Sequence, residues 1–150
     1  MKDLKKLIQI ILKKGYLMSL GTADKNGPWV SDVIYVYDEK FNLYWLSETK
    51  TRHSKAVAVN SKVAATITLS NSRGEKNVGL QIEGKAKKIK GDILALAKQH
   101  RLKRGKKSPK KVGEILDEGE SWYCLQPTKI EVIYEPFWGF EKKILLIKRG

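Results

Sequence analysis

The hydrophobic pattern changes period once, early, and then holds. Leu4, Leu7, Ile8, Ile11 and Leu12 recur at i, i+3, i+4, i+7 and i+8, the single apolar face of a helix over residues 3–14. Asp3 opens it, and Lys13 and Lys14 close it with the signs that suit the helix dipole. Gly15 is expected to stop it in the left-handed conformation. Strand-like segments follow. Tyr16–Ala23 and Trp29–Tyr37 flank an Asp24-Lys25-Asn26-Gly27-Pro28 turn, and Phe41–Leu46 follows Asp38-Glu39-Lys40. Connections this short make an antiparallel meander. A short helix over Arg52–Asn60 comes next, with small Ala56 and Ala58 suited to lying close on a sheet. Val63–Leu69 and the long Val78–Ile89 are strands, and Gly79 and Gly84 inside the latter signal a bend or a close approach. Helices are expected at Gly91–His100 and Val112–Leu116. Strands are expected at Ser121–Gln126, Lys129–Tyr134 and Lys143–Ile147, with a break at Pro136–Phe140. The chain is mainly β, and about six of these strands are expected to form a small six-stranded antiparallel barrel, with helices at the connections and the N-terminus.

Composition narrows the picture. A length of 150 residues suits one domain, 1–150, and 41% apolar content suits a packed core. The single Cys124 excludes an intrachain disulfide and a thiolate-rich zinc site, and with two histidines no metal centre is expected. No run reaches the ~18 apolar residues of a membrane span, and the N-terminal apolar stretch lacks a leader's cleavage site. A cytoplasmic location is the corresponding expectation. The net charge is +14. Residues 101–111 carry seven cations, half of that total, in what reads as a loop. Such a run attracts polyanions, but no aromatic residue lies between Trp45 and Trp122 to stack on bases, which argues against nucleic-acid recognition.

No Gly-x-Ser-x-Gly elbow, Walker loop or dinucleotide glycine fingerprint occurs. Glu114, Asp117, Glu118 and Glu120 form an acidic cluster without the glycine of a calcium loop, and read as a solvated face. The informative stretch is Leu43–Asn60, where a strand crosses a polar turn into a helix. Unpaired amides and the helix dipole make such a junction attractive to phosphate. Here it carries Lys50, Thr51, Arg52 and His53. Thr51 is placed to cap the helix, and Arg52 to grip a phosphate with two parallel hydrogen bonds.

The ordered set Leu-Gly-Thr-Ala-Asp-Lys-Asn-Gly-Pro-Trp-Val-Ser, Tyr-Val-Tyr-Asp, Leu-Tyr-Trp-Leu-Ser, Thr-Arg-His and Leu-Gln-Ile-Glu-Gly-Lys-Ala resembles the FMN-binding split-barrel family related to pyridoxamine-phosphate oxidase. The resemblance is fullest over Leu4–Ile89 and looser over Trp122–Leu146. It implies a homodimeric split barrel with FMN at the interface, acting as a flavin oxidoreductase on a small-molecule substrate. Thr51 and Arg52 match the family's phosphate-binding Ser/Thr-Arg-Lys element, and His53 stands where Lys is usual. Lys50 and Lys55 would supplement the charge. The strand at Ser31, Asp32 and Val33 would run beside the flavin ring, and Leu46 and Ser47 would offer it backbone groups. Gln81 matches a polar position that approaches the cofactor, and Trp138 and Phe140 could come from the second chain. The oxidase's Arg-x-x-x-Leu-Lys element is absent: the strand reads Val-Ser-Asp-Val-Ile-Tyr and the C-terminus Phe-Trp-Gly-Phe. Oxidation of pyridoxamine phosphate itself is therefore not expected. Other readings are a deazaflavin in the same barrel, haem with His53 or His100 as axial ligand, and a non-enzymatic module whose 101–111 segment contacts a polyanion.

Overall fold

The computed structural model describes residues 3–90, 93–106 and 119–149. Its elements in order are α1 (Leu4–Lys14), β1 (Leu17–Asp24), β2 (Gly27–Ile34), β3 (Val36–Tyr37), β4 (Leu43–Glu48), α2 (Arg52–Val59), β5 (Lys62–Thr68), β6 (Val78–Ile89), α3 (Leu94–Lys103), β7 (Glu120–Tyr134), α4 (Glu135–Trp138) and β8 (Lys142–Leu146). The expected helix over Val112–Leu116 and most of the acidic cluster lie outside the described residues. Among the described residues, no helix is long and apolar enough to cross a membrane.

All pairings are antiparallel, in the order β2-β1-β5-β6-β7-β4-β3, with β8 on β7. The two ends of that order, β2 and β3, are consecutive in the chain. They are the two halves of the strand expected at Trp29–Tyr37, broken at Tyr35. β2 pairs with β1, and β3 pairs with β4. The sheet thus curls into a barrel closed by chain continuity, with a split where β2 and β4 diverge. This is the split barrel that the resemblance implied. The expected meander holds only through the two-residue β3, because most of β4 pairs with β7 instead.

Tyr35 anchors the break. It is fully buried, and its hydroxyl donates to the Leu12 carbonyl at 2.7 Å. Gly15 is required here for a reason other than the expected one. Its φ is −71°, not left-handed, but a Cβ would meet the Tyr35 hydroxyl and stand 2.7 Å from Ile67 Cγ2. Phe41 is also reassigned. It is no strand residue but a buried turn residue with φ 66°, held by an Asp38 carboxylate that accepts from the Lys40 and Asn42 amides and the Tyr44 hydroxyl.

β7 is one strand where the sequence suggested two. Its first half pairs with β4, its second with β8, and β6 runs along the other edge throughout. The register shifts between Glu83 and Gly84, opposite Pro127, so a bulge absorbs the proline that read as an interruption.

The main core fills the barrel with Met18, Leu20, Val33, Leu43, Trp45, Ile67, Leu80, Leu125 and Val132, closed by Ile8, Ile11 and Leu12 of α1. A second cluster joins α3 to the outer face of β4 through Val36, Leu96, Ala97 and Trp122, with Leu46 packed against it. α3 runs three residues further than expected, so Arg101–Lys103 of the basic segment are helical and not loop. Lys103 is withdrawn from the surface. Its ammonium donates to the Tyr35 carbonyl at 2.6 Å, lies 3.3 Å from the ring centre, and is drawn down to about 8 by burial.

His100 packs edge-on against Trp122 in this second cluster, with ring centres 5.6 Å apart. Burial, then Arg104, Lys103, Arg101 and Lys106 around it, lower its pKa from 6.5 to about 4. The unfolded chain therefore binds this proton more readily. The stabilisation is complete above pH 6.5 and is lost as pH falls from 6.5 towards 4. Urea unfolding at pH 7 and pH 4.5 should differ by on the order of 2 kcal/mol more in the native protein than in His100→Gln. Equal pH slopes for the two would show that His100 is not held neutral.

Candidate functional site

The strand-turn-helix junction forms as its residues dictate. Thr51 is the N-cap of α2: its backbone is extended and its Oγ1 accepts from the Ser54 amide at 3.3 Å. Ser54 Oγ donates to the Glu48 carbonyl at 2.8 Å, and the Thr51 amide donates to the same oxygen at 3.3 Å. The turn leaving β4 is thereby fixed to the helix start.

Strand alternation sorts the candidates by face. On β2, Trp29 and Ser31 share the inward face with buried Val33. On β4, Ser47 shares the inward face with buried Trp45. Trp29 nevertheless remains 44% exposed, because at the split no strand covers it. β1 is the sole pairing partner of β2 among the described residues, so the other edge of Ser31, Asp32 and Val33 leaves backbone groups free for a ligand.

Arg52 and His53 project from the first turn of α2 towards this opening. The Arg52 guanidinium stacks 4.2 Å from the Trp29 ring centre and donates to the Asn26 carbonyl at 3.4 Å. It has no carboxylate partner among the described residues. His53 Nε2 lies 2.8 Å from Ser47 Oγ and 3.4 Å from Thr51 Oγ1. Burial lowers its pKa below 6.5, so the ring is neutral near pH 7. Ser47, Thr51, Arg52 and His53 are thus brought together at the lip of the split, with the β2 edge facing them.

The remaining candidates lie elsewhere. Asp32 faces outward and accepts from Ser19 Oγ at 2.6 Å. Val33 is a core residue, so only its backbone reaches the opening. Leu46 packs into the second cluster. Lys50 is solvent-exposed beside Glu48 at 3.6 Å, an exposed pair of little energetic consequence. Lys55 lines a separate cavity of about 430 Å³ with Lys87, Lys88 and Tyr123. Gln81 is opposite Thr66, which is opposite Ser19, which is opposite Asp32, three strands or roughly 14 Å away. It accepts from Lys142 Nζ at 3.0 Å. Trp138 is at the far end of β7 from Ser47, against Tyr134 and Phe137, and its buried indole N–H has no hydrogen-bond partner among the described residues. Trp29 is the residue that pattern reading missed. An aromatic residue in a strand reads as core filler, and only its exposure at an inward position marks it.

Two alternatives for the chemistry are absent from these residues. Among the described residues no three His, Cys, Asp or Glu side chains gather as a metal site. Cys124 is buried and its pKa is raised to about 11, so it is a thiol and not a thiolate nucleophile. A wider groove of about 700 Å³ between α1 and α3 is lined by Lys6, Lys13, Asp38 and Glu39, charges of both signs, and lies away from the split.

The family model described as pyridoxamine 5'-phosphate oxidase matches residues 4–132. A UPF0306 protein of Pasteurella multocida is 34% identical over 79 residues, which are 52% of this chain and 53% of that protein. The chain thus spans about half the length of that curated relative. Among solved structures, the general stress protein 26 of Bacillus anthracis superposes with a TM-score of 0.70 at 17% identity, covering 96% of this chain and 98% of that one. The haem storage protein HutZ of Vibrio cholerae gives 0.65 at 16%, covering 97% and 95%. An F420 reductase gives 0.63 at 16%, covering 81% and 94%. At these identities the structures share the fold, and the cofactors in their names differ.

Proposed function

The chain belongs to the pyridoxamine 5'-phosphate oxidase family, and from that premise we propose that it binds FMN at the split and acts as a flavin-dependent oxidoreductase on a small molecule. The observation that carries this reading is the capped start of α2, with an uncompensated guanidinium beside it, facing the free edge of β2. Thr51, Arg52 and His53 would hold the phosphate. The α2 amides add the dipole's partial positive charge. The backbone of Ser31, Asp32 and Val33 and of Leu46 and Ser47 would flank the ring system. The flavin supplies the redox chemistry when bound, and the protein supplies grip, orientation and exclusion of water. The strand that corresponds to the oxidase's Arg-x-x-x-Leu-Lys element reads Val-Ser-Asp-Val-Ile-Tyr, with Val30 at the arginine position, so the substrate is taken to differ from pyridoxamine phosphate.

The proposal extends to a homodimer with the flavin at the interface. It is supported by the outward row of β8, an edge strand on which Ile144 and Leu146 are 49% and 73% exposed on one face. A second copy would also bring Gln81 and Trp138 to a site that they do not reach within one chain. A deazaflavin bearing a phosphate group, which would need a similar grip, is the second reading. Haem is the third reading, with His53, whose Nε2 lies against Ser47, and His100, packed on Trp122, as the histidines available.

Titration of purified protein with FMN, a deazaflavin, riboflavin and haem, followed by visible absorbance, tests these readings. Retention of FMN well above riboflavin supports the proposal. A Soret band without flavin retention would overturn it. The lowered pKa of His53 adds an expectation: above pH 7, FMN affinity should be flat to pH 9, because the histidine is already neutral there. A progressive fall over that range would assign the ring a cationic role.

A further inference from the structure

Trp29 holds the cationic arm of this site. We infer that the indole of Trp29 is a positioning residue that sets the Arg52 guanidinium for a phosphate monoester; this rests on the reading of the α2 start as the phosphate end. Three features of the structure lead to it. First, the guanidinium lies 4.2 Å from the indole centre, within the range where a cation is attracted to the ring face. Second, the other anchor of Arg52 is a single long hydrogen bond, 3.4 Å to the Asn26 carbonyl, and no carboxylate neutralises it among the described residues. A structural arginine is ordinarily satisfied by a carboxylate or by several carbonyls. One held by an aromatic face keeps its charge and its forked donors available to an incoming anion. Third, the support itself is rigid. Trp29 pairs with Thr22 in β2, two residues after Gly27, which takes φ 99° and follows a two-residue turn whose Asn26 amide donates to Asp24 Oδ1 at 2.8 Å. The carbonyl and the indole that hold Arg52 therefore come from one hairpin, Asn26 in its turn and Trp29 in its second strand.

The position of Trp29 also argues against a filler role. An inward-facing indole used only to fill the barrel would be covered, as Trp45 is at 0% exposure, whereas Trp29 is 44% exposed. The arrangement holds a long, flexible side chain in one orientation before the ligand arrives, which reduces the entropy lost on binding.

The test is a double-mutant cycle read with two probes, FMN and riboflavin. Trp29→Ala should weaken FMN by about 3- to 30-fold while riboflavin changes by less than about twofold, and Trp29→Phe should lose less. Trp29→Leu fills similar space without the π face and carries the same expectation as Ala, which keeps the test open if Ala fails to fold. In an Arg52→Ala background the Trp29 substitutions should have no further effect on the FMN-to-riboflavin ratio, because the indole acts through the guanidinium. Additive losses would mean that Trp29 touches the ligand itself, and would overturn the inference. So would a wild-type ratio in both Trp29→Ala and Trp29→Leu while Arg52→Ala loses it. If Arg52→Ala itself keeps the wild-type ratio, the phosphate reading of α2 fails and this inference falls with it.

Discussion

Arg52→Ala should weaken FMN by about 10- to 100-fold and leave riboflavin nearly unchanged, since the two differ only in the phosphate. The size follows from what the substitution removes. A charged donor to phosphate contributes more than a neutral hydrogen bond, and here the guanidinium is not already discharged by a carboxylate. The selectivity follows from position: Arg52 is on the first turn of α2, beside the Thr51 cap, at the one lip of the split where unpaired helix amides are available. Because Arg52 is exposed, its removal should leave the melting temperature almost unchanged, and this separates loss of a binding contact from loss of fold. Isothermal titration with both ligands measures the effect. Equal weakening of FMN and riboflavin would place Arg52 at the ring and not at the phosphate, and no weakening would remove it from the site.

Gly84→Ala should cost about 3 kcal/mol or more of folding stability, an unusually large loss for one added methyl group. Strain in φ is not the reason, since Gly84 does not lie in the left-handed region. At the bulge between β6 and β7 a Cβ would run into the Gln126 carbonyl and stand 2.9 Å from Pro127 Cα. Both obstacles are backbone of the strand that joins β6 to β4 and β8, so neither can rotate aside as a side chain would. Gly74→Ala is the useful contrast. Its φ of 85° carries a conformational penalty, but a Cβ there meets open space, and the cost should stay near 1 kcal/mol. Urea midpoints at constant slope measure both. A loss below 1 kcal/mol at Gly84 would mean that the bulge relaxes freely.

Much of this was legible in local pattern. The α1 stripe, the Asn-Gly hairpin and the Thr51 cap follow from short-range rules, and each forms as read. The misreadings share a cause: a long-range neighbour decided the outcome. Tyr35 looks like one more strand aromatic, yet its hydroxyl on Leu12 and the Lys103 ammonium on its carbonyl make it the corner of the barrel. Gly15 reads as a helix stop, whereas its smallness is demanded by that same tyrosine and Ile67. The expected gap between Gln126 and Lys129 is not a strand end, because the bulge opposite Gly84 keeps Pro127 within β7. At the site, charge and capping pointed to residues 51–53, but the family pattern alone could not say that Gln81 and Trp138 lie on other faces of the chain. Trp29 carried no sequence signal at all, because the split that exposes it is a property of the closed sheet.

The corner at Tyr35 has a mechanical consequence. Where β2 and β3 meet, the barrel is completed by covalent chain and not by a ladder of interstrand hydrogen bonds. The separation of β2 from the end of β4 therefore depends on the backbone at residue 35 and on the Arg52 contacts with Trp29 and Asn26, and on no strand pairing between the two. Three contacts brace that corner: the Leu12 carbonyl, the Lys103 ammonium and the close fit at Gly15. The width of the split is thus tied to contacts made on the α1 and α3 side of Tyr35.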